Sequence, residues 1–153
     1  MVSIRIATAK DIKKLADIYA RAFHGMHPHE QWTSETAERF LTSFLQRQPD
    51  LAFLAMDGKQ IVGGFFAAIR PWWDGNHLVD GELFVYSATQ RRGAGSALMK
   101  HLLDQAVRIY QAIVMEAITF KDEGFPLNWY KKAGCQTVDD MVIISGKISE
   151  LHF

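Results

Sequence analysis

Apolar and polar positions change period several times along the chain, and each change marks an element. Val2 to Thr8, "VSIRIAT", alternates and predicts a short strand. Thr8, with Asp11 three residues on, offers a cap for a helix in which Ile12, Leu15, Ile18, Tyr19, Ala22 and Phe23 form one stripe. Gly25 ends it, and "HGMHPHEQW" reads as a loop. Thr33 or Ser34 caps a second helix with Ala37, Phe40, Leu41, Phe44 and Leu45 at helical spacing, stopped by Pro49.

The run "LAFLAMDGKQIVGGFFAAIR" predicts two strands around a turn at Asp57-Gly58. "PWWDGNH" reads as a second connector and "LVDGELFVY", residues 78 to 86, as a strand. A cationic, glycine-bearing turn and an amphipathic helix to about Tyr110 follow. "AIVMEAITF" has the nearly unbroken apolar character of a strand buried on both faces. "PLNWYKKAG" predicts a short helix with Gly134 just past its end, and "MVIISGKI" a final strand. The order is β-α-α-β-β-β-α-β-α-β, without internal repeat or linker, and predicts a single domain over 1–153. The strand–helix–strand piece from 78 to 118 reads as a crossover joining parallel strands. An α/β mixed sheet with helices on both faces follows.

Composition narrows the function. Net charge is zero, so nothing draws the whole chain to nucleic acid or to an anionic membrane. The single cysteine, Cys135, cannot form an internal disulfide and is read as a packing residue. No apolar run approaches a membrane span and the N-terminus has no secretory pattern, so a soluble cytoplasmic protein is expected. Three histidines, His24, His27 and His29, share one loop, but their spacing fits no standard zinc pattern and no metal is expected.

The chemistry concentrates at Gln90-Arg91-Arg92-Gly93-Ala94-Gly95-Ser96. A helix start presents unpaired amides and a positive dipole end, glycines admit a ligand close to the backbone, and arginines add charge. Together they suit a diphosphate. No Walker A loop or GxGxxG unit is present.

The hexapeptide Gln90 to Gly95 matches the Q/R-x-x-G-x-G/A motif of the GCN5-related N-acetyltransferases (GNAT). "LFV" at 83–85 resembles their signature strand and "WYKKAGC" at 129–135 their late "fYeklGF". The resemblance covers almost the whole chain. It implies a mostly antiparallel sheet whose parallel fourth and fifth strands splay into a V. It implies acetyl-CoA as cosubstrate, its pantetheine along Leu83, Phe84, Val85 and Tyr86, and its diphosphate on the amides of Arg91 to Ser96. The amide of Val85 or a neighbour would hold the thioester carbonyl, and Tyr130 would protonate the leaving thiolate. Glu123 stands where the family often has asparagine.

For the general base, Glu82 is preferred, with Asp80 on the same strand face and Glu116 as second candidate. The acceptor is expected near the first two helices, involving His27, Trp32, Trp73 and Asp80. Exposed tryptophans beside Asp74 suit a cation, although half-buried packing is the plainer role for Trp72 and Trp73. The expected reaction is acetyl transfer to a primary amine of a small molecule, of aminoglycoside or polyamine type, by direct attack in a ternary complex. A protein N-acetyltransferase and a non-catalytic acyl-CoA sensor are the alternatives. The family also implies a tendency to form homodimers.

Overall fold

A computed structural model describes residues 2–90, 92–122 and 124–152. The chain divides between Ile118 and Thr119 into two compact units.

The first unit is built on five strands in chain order: β1 (Val2–Ile6), β2 (Ala52–Asp57), β3 (Gln60–Trp72), β4 (Gly75–Val85) and β5 (Val114–Met115). The first three pairings are antiparallel and β4–β5 is parallel. Helices α1 (Ile12–Phe23) and α2 (Ser34–Arg47) follow β1, and α3 (Ala94–Tyr110) is the crossover between the parallel strands.

Both faces of the sheet are covered, which explains the unbroken apolar run in β3. Leu54, Phe66 and Phe84 join Leu15, Tyr19, Leu41 and Phe44 of α1 and α2 in one buried cluster. Phe53 points the other way, its ring 4.7 Å from that of His101 on α3, where Leu98 and Leu102 are also buried. Successive strand residues alternate between faces, so one strand serves both cores.

The predicted helix starts form. The Thr33 hydroxyl accepts from the Thr36 amide, and the Thr36 hydroxyl accepts from the Thr33 amide. Asp11 accepts from the amide and hydroxyl of Thr8 and is bridged by Arg5 at 2.7 Å. The Arg5 guanidinium holds the Asp11 carboxyl well below the usual carboxylate range, against the opposing effect of burial.

Turns differ by a residue or more from expectation. The β2–β3 turn is Gly58-Lys59, because Asp57 still pairs with Gln60. Positive φ falls on Gly58 alone, as a II′ turn with glycine first requires. The 71–77 connector shrinks to Trp73-Asp74, because β3 runs on through Trp72, which pairs with Gly75.

Two predicted strands are corrected. Only Val114 and Met115 of the 112–120 run join the sheet, and Ile113 and Ile118 are exposed. Residues 141–147, in the second unit, enter no strand, and Val142, Ile143 and Ile144 are exposed. An apolar run becomes a strand only when a neighbour takes its amides and carbonyls, and propensity does not supply the neighbour. The described part of the second unit holds α4 (Leu127–Lys132). It ends in a Schellman motif, with Gly134 at φ 101°, its amide on the Lys131 carbonyl and the Cys135 amide on that of Tyr130.

A polar knot around the buried His77 secures β5. His77 Nδ1 lies 2.5 Å from Glu116 Oε1 and its Nε2 lies 2.8 Å from Asp74 Oδ1. Arg70 donates to both oxygens of Glu116. Two carboxylates on one ring favour imidazolium, and the Glu116 contact raises the His77 pKa above 6.5. Hydrogen bonding from His77, then Arg70, lowers that of Glu116 below 4.5.

Two predictions follow from this packing. His77 stabilises the fold fully below its ordinary 6.5, and that contribution is lost as pH rises through its raised folded value. The Glu116 contribution is present above 4.5 and lost as pH falls through its lowered value. His77→Gln should therefore lose most melting temperature, relative to wild type, near pH 5.5 to 6, with the gap narrowing on the alkaline side. A gap independent of pH would exclude the imidazolium. At Gly63, an added Cβ would stand 2.4 Å from the Phe84 carbonyl oxygen and 3.0 Å from the Val85 Cα. Those are backbone atoms, so β4 itself must move. Gly63→Ala should cost about 1–3 kcal/mol in urea unfolding.

Candidate active site

β4 is bonded to β3 along its length but to β5 only at its start. The last parallel contact is the Glu116 amide to the Leu78 carbonyl, at 2.9 Å. Beyond it comes a bulge: Ala68 pairs with Val79 but Phe66 with Glu82, so β4 carries one extra residue there. Asp80 takes positive φ, 54°, within it. The extra residue changes which backbone groups point outward. Before it, Asn76 and Leu78 turn their carbonyls to β5. After it, the Tyr86 amide bonds the Val62 carbonyl on β3, so by alternation Leu83 and Val85 present theirs to the open side. Among the described residues, no β5 backbone reaches that stretch. The Gln90 amide group donates to the Val85 carbonyl at 3.3 Å.

α3 begins beside this edge. Gly93 is its N-cap at φ 84°, a conformation glycine adopts without strain, and it carries no side chain that could cap the helix. The first helical bond is Ala97 to Gly93, at 2.9 Å. The amides of Ala94, Gly95 and Ser96 therefore have no intrahelical partner and, among the described residues, no side-chain cap. A Cβ on Gly95 would lie 3.8 Å from Val85 Cγ2, so the first turn rests against the end of β4. An anion is favoured at such amides by the helix dipole.

On the α1–α2 face, the Tyr19 hydroxyl donates to Glu82 Oε2 at 3.0 Å. Around it stand Phe23, Trp32, Phe40 and Phe84, all within 5.7 Å of the Tyr19 ring, centre to centre. Trp32 donates its indole N–H to Glu30 at 2.9 Å. Burial pushes the Glu82 pKa up to about 7; the Tyr19 bond pulls it down, while Glu30 and Asp80 push it further up. Burial, then the charge of Glu82, raises the Tyr19 phenol far above its ordinary value. A carboxylate half ionised near neutrality can take a proton in catalysis.

The sequence profile of the acetyltransferase (GNAT) family matches residues 12–135. The chain belongs to this family. No curated protein matches it. Its fold is shared with a predicted acetyltransferase from Clostridium acetobutylicum, crystallised with acetyl-CoA, at 20% identity, full coverage of both chains and a TM-score of 0.71. A possible acetyltransferase from Clostridium difficile is 14% identical, with 97% of this chain and 99% of that one covered and a TM-score of 0.77. A transcriptional regulator from Bacillus halodurans is 18% identical, with 95% and 100% covered and a TM-score of 0.77.

As a GNAT protein, the chain brings some of its sequence candidates together and separates others. Leu83, Val85, Gln90, Gly93, Ala94, Gly95 and Ser96 line the β4–α3 corner, whereas Phe84 is buried toward α1. Arg92 is exposed and lies 3.8 Å from Asp57, while Arg91 and Glu123 fall outside the described residues. Asp80 and Glu82 both face α1 and α2, with Asp80 in a 3.4 Å bridge to Arg47. Trp32 adjoins the Tyr19–Glu82 pair. His27 stays in the loop after α1, accepting from the His29 amide at 3.3 Å.

Trp73 sits on the β3–β4 turn, 87% exposed. Glu82 lies seven positions along β4 from Gly75, roughly 20 Å, so Trp73 is not beside Glu82. Trp72 takes the Arg70 guanidinium over its ring at 4.5 Å, and Asp74 is held by His77. Glu116 is corrected from buried candidate base to partner of His77 and Arg70: its side chain is 44% exposed. Tyr130 lies on α4 with its ring against Trp129 at 5.0 Å. Tyr19 was legible only as part of the apolar stripe of α1, and its hydroxyl contact spans 63 residues of sequence.

The raised carboxyl has a consequence for stability. Its folded value exceeds the ordinary 4.5, so stability falls as pH climbs from 4.5 to about 7 and stays reduced above. The displacement corresponds to about 3 kcal/mol. Glu82→Gln should thus raise the melting temperature at pH 8 and leave it nearly unchanged at pH 4, measured by differential scanning calorimetry. Tyr19→Phe removes the bond that opposes this displacement, and the Glu82 carboxyl should then titrate above 7 by NMR.

Proposed function

We propose that the protein transfers an acetyl group from acetyl-CoA to a primary amine of a small molecule. The observation that carries this is the corner where the amides of Ala94 to Ser96, uncapped among the described residues, meet the outer edge of Leu83 to Val85, which no described β5 backbone pairs. Amides suit a diphosphate and an open edge suits an extended amide-bearing arm, so the residues present fit the cosubstrate. Bound there, acetyl-CoA supplies the activated acyl group. The Val85 amide polarises the carbonyl by offering a fixed N–H where negative charge develops. Glu82, poised near 7, takes the proton from the attacking amine. Tyr130, assigned on the family resemblance, returns a proton to the thiolate. A small cationic acceptor is supported by the setting of Glu82, with aromatic rings on one side and the charges of Glu30 and Asp80 in reach.

Isothermal titration with acetyl-CoA should show one site at micromolar affinity. Ser96→Asp places a carboxylate in the first helical turn, where it favours the helix but repels a diphosphate. It should weaken binding by about tenfold or more without lowering the melting temperature. Thiol release over an amine panel should then rise with pH through about 7 and be lost in Glu82→Gln. Absence of binding at millimolar acetyl-CoA would sink the reading.

A further inference from the structure

A second recess lies in the first unit. It is a cavity of about 460 Å³ between α1, the start of β3 and the segment after β4. Lys14 and Arg21 of α1, Lys59 of the β2–β3 turn, and Tyr86 and Thr89 after β4 line it. Ile18, Ile61 and Val62 provide an apolar floor. The uncapped amides of Ala94 to Ser96 are not among its walls.

We propose that this cavity binds a phosphate monoester carried on an apolar or planar body. Among the described residues its lining holds three cations and one carboxylate, Asp17, in a chain whose net charge is zero. That local excess of two positive charges matches the charge of about −1.5 to −2 on a phosphate monoester at neutral pH. Lys14, Arg21 and Lys59 enter no ion pair among the described residues. Asp57, two residues before Lys59, engages Arg92 instead.

The spacing is built into the helix. Positions 14, 17, 18 and 21 share one face, so Lys14 and Arg21 lie two turns apart along α1, about 10 Å. Like charges gathered on one concave surface repel, and an anion between them relieves the repulsion. Arg21 offers a planar fork to phosphate oxygens and the lysines act as point charges. The volume exceeds what inorganic phosphate fills and falls in the range of small-molecule sites. The Ile18, Ile61 and Tyr86 surfaces then take the body of the ligand. The ester is either the ribose 3′-phosphate of coenzyme A or that of a separate metabolite. The inference stands on the cavity and does not depend on the acyltransferase reading.

The probe is 4-nitrophenyl phosphate, titrated calorimetrically into the full chain. Submillimolar binding is expected, about tenfold or more weaker in Lys14→Ala/Lys59→Ala and unchanged in Ser96→Asp. Both lysines are exposed, so the double variant should keep its melting temperature, and Lys59→Arg should retain binding. Saturation with coenzyme A and with dephospho-coenzyme A distinguishes the sources. Displacement by the first alone, with the affinity gap between the two lost in the double variant, assigns the site to the cosubstrate's own phosphate. Binding alongside both assigns it to a separate ligand. No binding at 10 mM, equal binding by the double variant, or equal loss in Ser96→Asp would each overturn the proposal.

Discussion

The site depends on where β4 stops having a second neighbour. A strand interior to a sheet spends its amides and carbonyls on both sides. Here the parallel ladder ends at Leu78, and the bulge at Asp80 turns the groups of Leu83 and Val85 to the vacated side. An edge left inside a sheet would ordinarily invite another chain. It is instead short, flanked by the start of α3, and continuous with that helix's own unsatisfied amides. Two kinds of unpaired backbone, strand edge and helix start, thus meet at one corner. The ligand they describe is extended at one end and anionic at the other.

The opposite face of the same strand carries the titrating group. Glu82 is desolvated by the packing of α1 and α2 and steadied by one phenol. The burial that costs stability is the same burial that brings the carboxyl near neutrality. The His77 knot at the other end of β4 shows the contrary arrangement. There, opposite charges satisfy one another, Glu116 is lowered rather than raised, and the group secures the short parallel pair. The two carboxyls are therefore shifted in opposite directions, and burial against pairing is the difference.

Much of this was legible from residue order. The helices follow from their apolar stripes and caps, because period 3.6 and a capping hydroxyl are local properties. The helix start after Gln90 was legible because glycine in a polar turn ahead of an apolar stripe is a local signal. Turn placement was less so. Asp57-Gly58 and Gly58-Lys59 differ by a single pairing of Asp57 with Gln60, and only the register of the hairpin chooses between them.

The sequence by itself determined the helices, the strand order through β4, the cationic turn and the family. Tertiary structure decided what depends on partners distant in sequence. Residues 112–120 and 141–148 have strand composition, yet strands exist only where a ladder is offered. Glu116 looked like a lone buried acid until Arg70 and His77 closed on it from neighbouring strands. Tyr19 looked like core until its hydroxyl met Glu82. Composition and spacing fix what a residue is able to do, and the sheet's register and splay fix which groups it meets.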